Sequence, residues 1–73
     1  MIRLDRLNKS INERGYEILK LDLEADQVLV NMPSNEVTPY VIWTVSEEGD
    51  TNWGHYYRTY EEALDYYEER VSR

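Results

Sequence analysis

The sequence predicts a small α+β fold. It combines an antiparallel sheet of three to four strands with an N-terminal and a C-terminal helix packed on one face, in the order α-β-β-β-β-α. Three observations predict it. Apolar residues recur at helical spacing near both ends, first Leu4, Leu7 and Ile11, later Tyr60, Ala63, Leu64, Tyr67 and Val71. Between them, apolar residues fall in runs of strand length, separated by segments rich in Gly, Pro, Asn and Asp. An antiparallel sheet with helices laid on it buries two such stripes.

Each element has local reasons. Leu4, Leu7 and Ile11 make one stripe of a helix over about residues 2–14, and Gly15 stands where a left-handed C-terminal cap would close it. From Tyr16 to Leu23 the chain alternates, with Leu19, Leu21 and Leu23 on one side and Lys20 and Asp22 on the other, a half-buried strand. Glu24-Ala25-Asp26 reads as a polar turn, and Val28-Leu29-Val30 starts a second strand over about 27–32. Met32-Pro33-Ser34-Asn35-Glu36 ends it, because Pro33 has no N–H to donate and Ser and Asn favour turns.

Residues 40–46 and 51–57 form a hairpin. Glu47-Glu48-Gly49 suits a three-residue connection with Gly49 in the left-handed region. That register sets Ser46 across from Asp50, Trp43 across from Trp53 and Val41 across from His55. Val41, Trp43, Val45, Trp53, His55 and Tyr57 then share one face, and both tryptophans belong to the core. Thr59-Tyr60-Glu61-Glu62 has capping-box spacing and opens the last helix. Glu61 and Glu62 suit the positive end of that helix, Arg70 and Arg73 the negative end. Residues 1–73 form one domain, with no repeat, low-complexity tract or linker.

Composition narrows the chemistry. With 73 residues and no cysteine, the chain has a small core and no disulfide, thiol nucleophile or cysteine–zinc site. The N-terminus lacks the unbroken apolar run of a signal peptide, and no segment approaches the about 20 apolar residues that span a bilayer. A cytoplasmic protein without membrane contact is the expectation. His55 is the only histidine and is expected as a packed, hydrogen-bonded strand residue. No glycine-rich phosphate loop or nucleophile–base arrangement is present. The expectation is therefore no enzyme, no catalytic residue, no cofactor and no metal.

The net charge of −7 is unevenly distributed: residues 1–14 carry +2 and the remainder −9. Such a body disfavours direct nucleic-acid binding, which is built on neutralising phosphates with Lys and Arg. It suits either a solvated surface or a basic protein partner. Two sets of residues are candidates for partner contact. One is aromatic: Tyr40, Tyr56 and Tyr66 fall off the expected core faces, and exposed tyrosines anchor interfaces. The other is acidic: Glu47, Glu48 and Asp50 in the hairpin turn, and Glu61, Glu62, Asp65, Glu68 and Glu69 on the last helix. At 1.5 Å rise the helix set gives about one charge per 2–3 Å, near the about one per 1.7 Å of duplex DNA.

The expected function is a non-enzymatic acidic protein-binding module, most concretely an inhibitor or nucleic-acid mimic that occupies a basic surface of a nucleic-acid-binding protein. Small size, acidity and absent catalytic motifs match the character of phage-encoded anti-CRISPR and anti-restriction proteins, although no motif carries a family match. The alternative is an accessory or regulatory interaction domain, or a homodimerising structural protein of a mobile element or bacterial operon. Both a monomer and a homodimer are compatible with the sequence.

Overall fold

Both central strands are apolar at consecutive positions, Val28-Leu29-Val30 and Val41-Ile42-Trp43, and all six side chains are buried. An unbroken apolar run is what a strand needs when both faces of its sheet are covered. The computed structural model describes residues 3–71, with side chains described as far as Glu69. The start of the first helix at residue 2, and the expected roles of Arg70, Val71 and Arg73, lie outside the described residues.

The elements are α1 (Leu4–Glu13), β1 (Glu17–Asp22), β2 (Gln27–Asn31), β3 (Tyr40–Val45), β4 (Thr51–Tyr57) and α2 (Tyr60–Val71). The strands form one antiparallel meander in the order β1-β2-β3-β4. Class and element order are those expected. The helices are not on one face. Leu7 and Ile11 of α1 pack with Val28, Val30, Met32, Val41, Trp43 and Val45, whereas Ala63 and Tyr67 of α2 pack with Leu29 and Ile42. Alternate residues of a strand point to opposite sides, so α1 and α2 sandwich the sheet between them. Covering a single face would have left Leu29 and Ile42 in water.

Two β-bulges revise the expected alternation. In β1 the register shifts between Ile18 and Lys20. Ile18 and Leu21 therefore both pack toward α1, Leu19 packs toward α2, and Leu23 lies in the turn beyond the strand, exposed. In β4 the hairpin starts in the expected register, with Val45 opposite Thr51 and Thr44 opposite Asn52. It then shifts by one, so that Ile42 faces His55 and Val41 faces Tyr56. Trp53 occupies the bulge at φ 55° and is 81% exposed, so it is not a core residue. The left-handed conformation costs about 1–2 kcal/mol for a side chain of this kind. Gly54 follows because Trp43 lies against it: a Cβ there would stand 2.8 Å from Trp43 Nε1.

Turns and caps hold the layers in place. Helix α1 ends in a Schellman arrangement, with Tyr16 N–H donating to Ile11 O (3.1 Å), Gly15 N–H to Asn12 O (3.0 Å), and Gly15 at φ 79°. Its start is pinned to the β3–β4 turn by Arg3 N–H donating to Glu47 O at 2.9 Å. The helix therefore runs from the hairpin turn to the opposite end of the sheet, where β1 begins. Asp22 Oδ1 accepts from the Glu24 and Ala25 amides, both at 2.9 Å, and closes the first turn. Asn35 organises the β2–β3 loop: its Oδ1 accepts from Val37 and Thr38 N–H, and its Nδ2 donates to Thr38 Oγ1. At α2, Thr59 Oγ1 accepts from Glu62 N–H at 3.2 Å, the first half of the expected capping box.

Candidate protein-binding surface

The candidate residues divide among three places. Six of them ride on α2, the five carboxylates and Tyr66. At about 100° per residue, Ala63 and Tyr67 point into the sheet and Tyr60, Leu64 and Tyr66 flank them. Glu61, Glu62, Asp65, Glu68 and Glu69 then share the remaining arc of about 120°, and all five are exposed. No basic residue occurs between Tyr60 and Glu69. Asp65 stands three or four positions from each of the other four, and a like-charge pair at that spacing costs a helix about 0.2–0.5 kcal/mol.

Glu47, Glu48 and Asp50 belong to the other side of the molecule. They sit in the β3–β4 turn beneath the first turn of α1, all exposed, with Asp50 Oδ1 3.9 Å from Arg6. The fold therefore does not merge the two acidic sets into one patch.

The tyrosines separate too. Tyr40 is half-buried in the α2 core, edge-on to Tyr60 with ring centroids 5.8 Å apart. It is a packing residue, because its strand position points it under α2. Tyr66 is half-buried between His55 and Tyr57, at 4.9 and 5.5 Å, with its hydroxyl 3.3 Å from His55 Nε2. Tyr56 pairs with Val41, lies on the α1 side, and is 53% exposed. His55, expected as packed, is exposed apart from this contact with Tyr66. The exposed aromatic that sequence reasoning missed is Trp53. Gly54 inside an otherwise continuous strand pattern was the available signal, since a glycine in a strand interior often marks a bulge.

The basic N-terminal segment is largely engaged with the protein itself. Arg3 pairs with Asp5 at 3.1 Å, an exposed bond that lowers the Asp5 carboxyl and raises the Arg3 guanidinium from their ordinary values. Arg6 leans toward Asp50, and the Arg14 guanidinium stacks 5.9 Å over the Trp43 ring. Between α1 and the turn is an open groove of about 340 Å³ lined by Arg6, Lys9, Ser10, Glu13, Gly49 and Asp50. Its charges are mixed and define no single ligand chemistry. Among the described residues no group of three or more His, Cys, Asp or Glu is placed to hold a metal ion. No described helix is long and apolar enough to cross a membrane.

One buried tyrosine gives the structure a pH signature. Burial, with the charge of Asp22 adding to it, raises Tyr67 above its ordinary value. The folded state therefore holds this proton more tightly than the unfolded chain does. That contribution is complete below about pH 10 and is lost as pH rises through the elevated folded value. Urea unfolding across this alkaline range is expected to show a steeper loss of stability in the wild type than in Tyr67→Phe. Parallel curves would mean that Tyr67 titrates alike in both states.

No family model, curated protein or solved structure matches the chain.

Proposed function

We propose that this chain is a non-enzymatic, cytoplasmic protein-binding module that lays the outer face of α2 on a basic surface of a nucleic-acid-binding protein. It would exclude nucleic acid from that surface, as anti-CRISPR and anti-restriction inhibitors do. The observation that carries the reading is the continuous carboxylate arc on α2, uninterrupted by a basic residue across nearly three turns. A face that needed only solubility would gain stability by interspersing Lys at i+4, whereas this one accumulates like charges around Asp65. Its axial charge spacing is within about a factor of two of duplex DNA. The arginines of the N-terminal segment also face acidic or aromatic groups of the chain itself, Arg3 with Asp5, Arg6 near Asp50 and Arg14 over Trp43. They do not form a separate basic patch with the charge density that phosphate binding needs.

The test is capture from host lysate on immobilised protein, comparing wild type with the triple variant Glu61→Lys, Glu62→Lys, Asp65→Lys and competing with duplex DNA. The expected result is a captured protein that duplex DNA elutes, and whose affinity falls at least about tenfold in the variant (roughly 1.4 kcal/mol). Capture that survives both the reversal and the competitor would refute the proposal.

A further inference from the structure

The β4 bulge sets a bulky aromatic in a left-handed conformation and leaves its ring in water, with nothing gained in packing. From Trp53 φ 55° and 81% exposure, with the 53% exposed Tyr56 three positions further along the same strand, we infer that this part of the edge strand is an aromatic docking surface for a cationic protein segment. Trp53 would receive an arginine or lysine side chain of that segment on its ring face. The inference rests on the reading of the chain as a module for a basic partner, and assigns that partner a second contact away from α2.

The occupant follows from charge. Trp53 is the third residue of β4, three positions beyond Asp50 in the turn that also carries Glu47 and Glu48, and all three carboxylates are exposed. An apolar partner would have to strip water from those carboxylates without compensation, while a cationic one pairs with them and places its charge over the indole. The chain already makes this contact internally, with Arg14 stacked on Trp43. Nor is the strand edge built for backbone pairing. The bulge interrupts its ladder between the partners of Ile42 and Thr44, and interrupted edges resist strand addition. Trp53 is thus offered as a side chain, and interface hot spots are enriched in Trp.

The experiment titrates a fluorescently labelled ten-residue oligoarginine peptide into wild type, Trp53→Asn, Trp53→Phe and the α2 triple variant, reading anisotropy at physiological salt. Asn accepts left-handed φ, so Trp53→Asn is expected to unfold in urea at the same or a higher midpoint than wild type while binding the peptide about tenfold more weakly. Trp53→Phe keeps a ring face and is expected to stay within about threefold of wild type. If Trp53→Asn binds as wild type does, the docking surface is refuted, whatever the α2 variant shows. If the α2 variant binds normally while Trp53→Asn does not, the docking surface stands and the α2 reading fails.

Discussion

Gly49→Ala is expected to lower folding stability by about 2–5 kcal/mol, a large share of what a chain of this length has to lose. Two effects act at one atom. Gly49 sits at φ 88°, where a Cβ costs about 1–2 kcal/mol. That Cβ would also stand 2.8 Å from the Arg3 carbonyl oxygen and 3.2 Å from the Leu7 amide nitrogen. Neither is a flexible side-chain tip, so the start of α1 would have to lift off the hairpin turn, stretching the Arg3–Glu47 bond. Gly15 is the internal control. It shares the left-handed conformation, but a Cβ there meets nothing within 4 Å, so Gly15→Ala should cost only the strain and Gly15→Asn less. Urea unfolding of the three variants checks this. Equal losses for Gly49→Ala and Gly15→Ala would show that the turn is not packed beneath α1.

Ile42→Ala is expected to cost about 2–5 kcal/mol through the cavity it leaves. Ile42 is fully enclosed between Leu29, Ala63 and Tyr67, and the rigid sheet beneath limits collapse. The loss should fall on α2, read as faster amide exchange there than in α1. Leu7→Ala should do the reverse. The two residues belong to different cores and share no partner, so their costs should add to within about 0.5 kcal/mol. Strong non-additivity between Leu7 and Ile42 would contradict the sandwich arrangement, and the milder pair Leu7→Val and Ile42→Val keeps the test readable if the alanine variants fail to fold.

How much was legible follows from the range of each signal. The Schellman close at Gly15, the Gly49 turn and the Thr59 cap each involve atoms within five residues, and they appear where the residue types put them. The carboxylate face of α2 was legible for the same reason, since helical spacing alone sorts Glu61, Glu62, Asp65, Glu68 and Glu69 from Ala63 and Tyr67. Tyr40 was misjudged because its environment is supplied by Tyr60, twenty positions away, once α2 folds back across the sheet. Trp53 was misjudged because perfect alternation was carried through β4, whereas Trp53 lies in the bulge itself, and the inserted residue also reverses the assignments of His55, Tyr56 and Tyr57 after it.

By itself, then, the sequence determined the six elements, their order, the hairpin's starting register and the acidic stripe, all consequences of short-range periodicity and backbone preference. The tertiary structure decided that the helices lie on opposite faces, that Tyr40 packs half-buried against the α2 core, and that Trp53 is surface. The physical reason is that a strand's two faces are equivalent until something packs on them. Only the assembled sheet, with Leu29 and Ile42 requiring cover on one side and Val28, Val30 and Val41 on the other, distinguishes them.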